Sequence, residues 1–368
     1  MIEDHVEQMQ MELEKWIHTD PRRIAILSEL IIAIPLSRSV QGSDLAENVI
    51  RDVQDQSIQQ MLRRFYKNPA ITWERFYAPI IKRFLVTLYL PAYYLVVDTT
   101  DVGAKNRALV LSLSYHGRSI PLIWEVEPGT KGHTKEETQV KLVKRLAPHF
   151  KPKGAVIFLG DSEFDGVSLQ KELREQGWYY IVRTSPQLHI RETEQSESYP
   201  IGELVPHPDS PEQRKTDILF TKTHSFGPVN CYACWEAGQE IPLILLSHLP
   251  ADKAYNPRLT YRIRFSTEPL FADCKEAGFR LHKSRLLEPE RLSRLFLAVS
   301  VSYLLMTTLG AWLFFHQDTN QVDRSNRRTL SIFKTGWRWF KRQLKLSTCV
   351  LFRFSFPTSI VFPPLKYT

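Results

Sequence analysis

From residue 1 to about 90, apolar and charged positions alternate at helical spacing, as in SIQQMLRRFYKN and WERFYAPIIKRF, with breaks near Asp20-Pro21 and Gly42-Ser43-Asp44. This pattern predicts a small helical domain over residues 1–90. From Tyr93 the texture becomes that of strands: AYYLVVDTT, RALVLSLSYHG and SIPLIWEVE, with a Gly-Arg turn between the second and third, predict an antiparallel meander. An amphipathic helix (KEETQVKLVKRLAPHF), a short apolar strand (GAVIFLGD), a second helix (DGVSLQKELREQG) and a further strand (WYYIVRTS) follow. The order βββαβαβ is that of a mixed α/β sheet covered by helices, over residues 91–184.

Between 185 and 257 the periodicity weakens and Pro and Gly become frequent. DILFTKTH, VNCYACWE and IPLILLSHL are short strand candidates, so this stretch reads as a β-rich insertion. Helical pattern resumes over 258–318, so the sheet is expected to gain its last helices from beyond the insertion. Within it, Leu295 to Gln317 carries no Asp, Glu, Lys or Arg and is long enough to cross a bilayer. Ser300, Ser302, Thr307 and Thr308 dilute the run, and it directly follows the most polar motif of the chain. A helix buried in a large domain is the reading that fits, and no membrane is expected.

Composition adds two constraints. With 43% apolar and 24% charged residues the 368-residue chain is neither disordered nor fibrous. Its net charge of +8 is unevenly placed: residues 1–318 hold 38 basic and 39 acidic groups, residues 319–368 hold 10 and one. A strongly basic C-terminal region suggests a polyanionic partner. Four cysteines give no disulfide framework, and the acidic start MIEDHVEQMQ is unlike a secretory signal, so a reducing, cytoplasmic location is expected.

Glycine-rich phosphate cradles, His-Glu-x-x-His and Gly-x-Ser-x-Gly are all missing from the sequence. Cys231 and Cys234 are spaced as a zinc pair, but only His224 and His248 lie near, at spacings that fit no standard finger; two ordinary strand cysteines fit better. Carboxylates at strand ends are more informative. Asp98 comes directly after the apolar strand Tyr93–Val97, and Asp161 comes one glycine after Ala155–Leu159. Each would be held at the rim of the sheet by rigid backbone, and two on neighbouring strands could share divalent cations, since Mg²⁺ prefers carboxylate and phosphate oxygens. Alone, either Asp reads as a turn residue. Asp101, Glu163 and Asp165 stand close by, and Asp165 reads as a helix N-cap.

The third element is YRIRFSTEPLFADCKEAGF, where Tyr261, Arg264, Glu268 and Lys275 are spaced by three, four and seven. On one helix they would lie within about 60° of one another, aligning a metal-competent carboxylate with a phenol and two cations. A solvated charged face is the alternative, but it would not need the tyrosine. Cations flanking such a carboxylate suit a site that holds a phosphodiester. Pro269 pushes Glu268 toward an extended conformation, so the stripe is expected to bend there.

At these residues the sequence resembles the DDE transposases of bacterial insertion sequences, specifically the insertion-sequence-four family, whose final motif is Tyr-x2-Arg-x3-Glu-x6-Lys. Tyr261, Arg264, Glu268 and Lys275 match it in full, a coincidence expected by chance at about two in a thousand. Asp98-Thr99-Thr100 resembles the family's first aspartate motif and Asp161-Ser162-Glu163-Phe164 its second. The departures are Phe265, where the family often has Trp, and Glu163, where a small residue is common. The resemblance covers about residues 91–345.

It implies a ribonuclease H-like fold, a five-stranded mixed sheet flanked by helices and interrupted by the β-rich insertion, after an N-terminal DNA-binding domain. It implies that Asp98, Asp161 and Glu268 bind two Mg²⁺, Mn²⁺ substituting, for phosphodiester hydrolysis at element ends and strand transfer into target DNA. Tyr261, Arg264 and Lys275 would grip phosphates around the cleaved end. The partners implied are double-stranded DNA, as terminal inverted repeats and target, and a second copy of the chain in a synaptic homodimer, in a bacterial, nucleoid-associated setting. A tryptophan of the insertion would stack on a flipped base; Trp235 is the candidate, with core packing as the other reading. The rival readings are a transposase-derived DNA-binding protein that no longer cuts, against which all three carboxylates are present, and a membrane-associated protein anchored by Leu295–Gln317.

In the basic region, Lys334, Arg338, Lys341 and Lys345 recur at four, three and four, and Phe333, Trp337, Phe340 and Leu344 repeat that spacing on the adjacent face. This predicts an amphipathic helix with one cationic stripe, either solvated or in contact with DNA, where Lys341 and Arg342 would add phosphate contacts.

Overall fold

The computed structural model describes residues 2–129, 132–221, 225–250, 256–324, 328–346, 348 and 350–357. Among the described residues five α-helices come first, α1 (Ile2–Glu14), α2 (Pro21–Ser37), α3 (Gly42–Ala46), α4 (Asp55–Lys67) and α5 (Ala78–Val86), with a π-helical turn, Trp73–Tyr77, leading into the last. Both expected breaks are helix starts. Asp20 caps α2, accepting from the Arg22 N–H at 3.0 Å with Pro21 in the first turn, and Gly42 opens α3.

Three strands follow, β1 (Ala92–Val102), β2 (Asn106–Tyr115) and β3 (Arg118–Pro128), as the antiparallel meander that alternation predicts. The turn between β2 and β3 is His116-Gly117, one residue earlier than the sequence suggests; φ is 48° and 76° at the two positions, the left-handed pair that a two-residue hairpin requires. Then come α6 (Glu136–Leu146), β4 (Ala155–Gly160), α7 (Val167–Glu175) and β5 (Tyr179–Arg183), with β4 parallel to both β1 and β5. The fold is thus mixed α/β.

The β-rich stretch supplies β6 (His189–Arg191), β7 (Tyr199–Pro200), β8 (Gln213–Phe220), β9 (Phe226–Cys234) and β10 (Leu243–Ser247). These do not form a separate sheet. β10 pairs antiparallel with β5, so one ten-stranded sheet runs β3-β2-β1-β4-β5-β10-β9-β8-β6-β7. The first five strands in chain order form one half of it, and β5 offers its free edge to the rest. Cys231 and Cys234 lie in β9 as buried, unbridged thiols, the former pushed by burial up to about 12; His224 lies outside the described residues. Their strand setting is the ordinary one.

After the sheet come α8 (Pro257–Tyr261), a 3-10 turn over Arg262–Ser266, α9 (Thr267–Cys274), α10 (Pro289–Phe315) and α11 (Ile332–Lys345). α10 is long and apolar enough to span a membrane, but it is almost wholly enclosed by the protein. It touches β3, α2, α4 and α11, which share the larger core with it. Three of its hydroxyls are satisfied along its own backbone, Ser302, Thr307 and Thr308 donating to the carbonyls of Ala298, Tyr303 and Leu305, whereas those of Ser300 and Tyr303 are buried without a partner. The N-terminal helices therefore share the larger core with the sheet's covering helix.

α10 and α11 meet backbone to backbone. A Cβ on Gly310 would lie 1.9 Å from the carbonyl oxygen of Ile332, and one on Gly336 would lie 1.9 Å from that of Met306. Only glycine at both positions allows this approach. Gly310→Ala or Gly336→Ala should therefore force the helices apart and cost about 1–3 kcal/mol by overpacking, read as a lowered thermal midpoint; an unchanged midpoint would show that the helices can separate freely.

Candidate functional site

The sheet buries both faces. Leu95 and Val97 of β1 and Val156 and Phe158 of β4 point into the larger core, while Val96, Ile157 and Leu159 point into a smaller one shared with Ile181, Tyr232, Leu245 and Tyr261. Alternation carries this second set on to Asp98 and Asp161. The parallel register pairs Val96 with Leu159, so two residues further along each strand Asp98 and Asp161 stand side by side on one face. The electrostatic influence of Asp161 on Asp98 agrees with this closeness.

Asp98 is not the residue after its strand, as the sequence suggests, but the seventh of eleven. β1 continues to Val102 because its hairpin partner does, with Asp98 opposite Val110 and Thr100 opposite Ala108. β4 stops at Gly160, so from Asp98 onward the side of β1 that faced β4 is no longer paired with it. Asp161, by contrast, ends its strand: its side chain accepts the Glu163 N–H at 3.0 Å and starts a single 3-10 turn.

The turn over Arg262–Ser266 closes the smaller core over these carboxylates. Tyr261 is buried, and burial pushes its phenol up. Arg264 lies 3.5 Å from Asp98 Oδ2, with its guanidinium 4.8 Å from the centre of the Phe265 ring and 5.7 Å from that of Tyr261. The Thr267 hydroxyl donates to Asp98 Oδ2 at 3.0 Å and the Thr99 N–H to Oδ1 at 2.8 Å. Burial nonetheless raises the Asp98 carboxyl above its usual range, against the opposite pull of the Thr99 N–H and Arg264. Two polar atoms beside it, Thr99 Oγ1 and Arg264 Nε, are buried without a partner.

Glu268 is not extended, as Pro269 suggests, but helical as the second residue of α9; the stripe is interrupted earlier, by a 3-10 turn. α8, the 3-10 turn and α9 replace a single helix, and Pro269 falls in the first turn of α9, where it is tolerated. Thr267 points at Asp98, so Glu268, about 100° further round, is exposed. Lys275 caps the far end of α9, about 10 Å of helix rise from Glu268. The structure thus brings Asp98, Asp161, Arg264 and Tyr261 together and leaves Glu268 and Lys275 at the margin; among the described residues no three metal-competent side chains converge. The donors nevertheless suit a divalent cation: two adjacent carboxylates with hard oxygen ligands and unsatisfied polar atoms beside them.

Two of the neighbouring acids, Glu163 and Asp165, have structural partners. Glu163 accepts from the N–H and hydroxyl of Thr134, both at 2.5 Å, and so holds the loop before α6. Asp165 is not the N-cap of α7; that position is Gly166, and Glu136 of α6 accepts the first N–H groups of α7, from Ser168 at 2.6 Å and Leu169 at 3.1 Å. Asp165 instead accepts from the Thr184 hydroxyl at 2.6 Å. Trp235 is half-buried, and its indole N–H donates to the Val205 carbonyl at 2.9 Å, which is core packing within the sheet extension.

α11 forms as predicted, with Phe333, Trp337, Phe340 and Leu344 buried. Its other face, with Arg38 from the end of α2, lines a cleft of about 480 Å³ that includes Lys334, Arg338, Lys341, Arg342 and Lys345. Burial and the nearby Arg38 lower the ammonium of Lys341. Lys334 also approaches Asp273 of α9 at 3.9 Å, and Arg118 at the start of β3 reaches the same carboxylate at 2.6 Å. This buried junction ties β3, α9 and α11 together and carries no signal in the sequence. Nor does Thr267, whose contact with Asp98 depends on the tertiary approach of two distant segments.

Residues 98–305, more than half of the chain, match the transposase DDE domain, and the chain belongs to that family. No curated protein is similar to it at a significant level. Among solved structures the chain is similar to a piggyBac transposase in a synaptic complex with hairpin DNA, at 14% identity and a TM-score of 0.47, covering 95% of this chain and 80% of that one. A likeness that distant carries no reading of the site.

Arg118→Met would leave Asp273 buried with only the more distant Lys334. Breaking a buried pair in this way should cost about 3–5 kcal/mol, and Arg118→Met with Asp273→Leu should recover much of it. Thermal melts of the two variants check this; equal midpoints would show that the junction contributes nothing.

Proposed function

We propose that this chain is a DNA transposase of the insertion-sequence-four group, with a ribonuclease H-like catalytic core, that moves an element by cut-and-paste transposition. The observation that carries the reading is the pairing of Asp98 and Asp161 on adjacent parallel strands under Arg264, inside the stretch that matches the transposase DDE domain. The substrate is double-stranded DNA, as the element's ends and the target, handled by two copies of the chain.

Asp98 and Asp161 would hold Mg²⁺, or Mn²⁺ in its place, with the exposed Glu268 of α9 as the third carboxylate the motif supplies from the margin of the site; the metal would neutralise charge on the reacting phosphate and lower the pKa of the attacking hydroxyl or water. The chain's own residues prepare the site. Strands β1 and β4 fix the two aspartates, and Asp98 is half-buried beside Arg264. Arg264 faces the reacting phosphate with a planar guanidinium that can bind two oxygens at once, and the rings of Tyr261 and Phe265 hold that plane. Lys275 meets a neighbouring phosphate as a point charge. Cleavage breaks a P–O bond with water as the attacking group, and joining breaks a target P–O bond with the element's 3′-hydroxyl in that place.

Asp98→Ala and Asp161→Ala should each reduce Mg²⁺-dependent nicking of element-end DNA by about 100-fold or more while leaving DNA binding in EDTA unchanged. Nicking that persists in both variants would sink the catalytic reading; binding without nicking in the unaltered chain would favour a transposase-derived DNA-binding protein.

The cleft on α11 is the second DNA contact in this reading. Lys341→Glu with Arg342→Glu should weaken binding of all duplex sequences alike and flatten the plot of log affinity against log salt by about 2. Loss of cleavage with binding intact would instead assign the cleft to assembly.

A further inference from the structure

A second cationic site lies away from both α11 and the carboxylates. Between α4 and the segment 284–291 that leads into α10 there is a cavity of about 510 Å³, within the roughly 300–1,000 Å³ of ligand sites. Four of its lining residues are cations, Arg63 and Lys67 from α4 and Arg285 and Arg291 from the opposite wall, and none is an acid. Only Arg291 has an ion pair among the described residues, with the exposed Glu288. Arg63, Lys67 and Arg285 line the cavity as exposed cations with no ion pair among the described residues. The amide of Gln59 also lines the wall, as does Tyr66, whose buried hydroxyl has no hydrogen-bond partner. A wall of this kind is held together best by an anionic occupant.

The cavity is also anchored to the catalytic strand. The Asn106 side-chain amide, just past the end of β1, donates to the Leu287 carbonyl at 2.9 Å, and the carbonyl of Leu286, a lining residue, comes close against Gly103. Gly103 is five residues beyond Asp98, about 16 Å along an extended strand. Duplex DNA rises about 3.4 Å per base pair, so this offset corresponds to roughly five base pairs.

We propose that this cavity binds a phosphodiester of the same duplex whose end lies at Asp98 and Asp161, a few base pairs from the scissile phosphate. The inference rests on the transposase reading for its ligand. Its consequence is mechanical: a phosphate gripped by Arg63 and Lys67 on one side and Arg285 on the other ties α4 to the segment fixed on β1. DNA bound there would seat the helical N-terminal part against the catalytic strand.

The test uses the full chain and two readouts. In the first, Arg63→Gln with Arg285→Gln is compared with the unaltered protein for duplex binding by fluorescence anisotropy over a salt series; the loss of two phosphate contacts should lower the slope by about 2. In the second, the unaltered protein is acetylated with and without a duplex, and Lys67 is followed by mass spectrometry, so the result does not depend on a variant that folds. Protection of Lys67 by the duplex together with a reduced slope supports the proposal. An unchanged slope or an unprotected Lys67 overturns it. Inorganic phosphate or a mononucleotide that protects Lys67 as well as the duplex does would also overturn it, by assigning the cavity to a small anion. Nicking is measured separately, so a duplex that protects Lys67 without being nicked separates failure of the catalytic reading from failure of this one.

Discussion

The rest of the structure depends on covering α10. A helix of 27 residues that is apolar on nearly every side cannot remain exposed to water, and its coverage recruits parts of the chain hundreds of residues apart. β3 lies against it, α2 and α4 come from the N-terminal helices, and α11 comes from the basic end. The glycine contact with α11 brings the two backbones to a distance that no side chain permits. This single requirement explains why the N-terminal helices and the sheet share one core. It also explains why the cationic α11 stands beside the helix that follows the segment from Tyr261 to Lys275.

The site arises from a different constraint, the unequal length of two parallel neighbours. β1 is extended by its hairpin partner to Val102, whereas β4 ends at Gly160. The strand end of one and the strand interior of the other therefore place their carboxylates on the same face. Segment 261–267 is then laid over that face because Tyr261 completes the smaller core. Hydrophobic burial, not attraction between charges, sets the height at which Arg264 approaches Asp98. The same burial raises the Asp98 carboxyl, so the surroundings that fix its position also make it costly to charge without a cation nearby.

These two constraints differ in how far they can be read from residues alone. The mixed sheet, the helices on either side of β4 and the amphipathic α11 follow from periodicity, and the paired aspartates follow from apolar runs that stop at a carboxylate. The continuation of the sheet through β10 is not legible, because edge pairing between β5 and a strand 60 residues later depends on backbone geometry and leaves no pattern in either segment. The bend between Tyr261 and Thr267 is only half legible: Pro269 announces a break but not that a 3-10 turn lies before it. Spacing on an ideal helix therefore groups Glu268 and Lys275 with Arg264, whereas the folded chain separates them along α9. Asp165 misleads for a related reason, since capping of α7 is supplied by Glu136 from another helix.

Arg264 is where the two constraints meet. One edge of its guanidinium approaches Asp98 Oδ2 and its plane lies near two rings, yet its Nε is buried without an acceptor. A buried donor left unpaired costs about 1–3 kcal/mol, so the side chain is held in place by its aromatic neighbours and by Asp98 rather than by a complete set of hydrogen bonds. An arriving phosphate oxygen can satisfy that donor without first displacing a protein partner, and the rings would keep the guanidinium plane in register as it does so. Arg264 offsets the charge of Asp98; in the proposed transposase reading the same group would bridge carboxylate and phosphate.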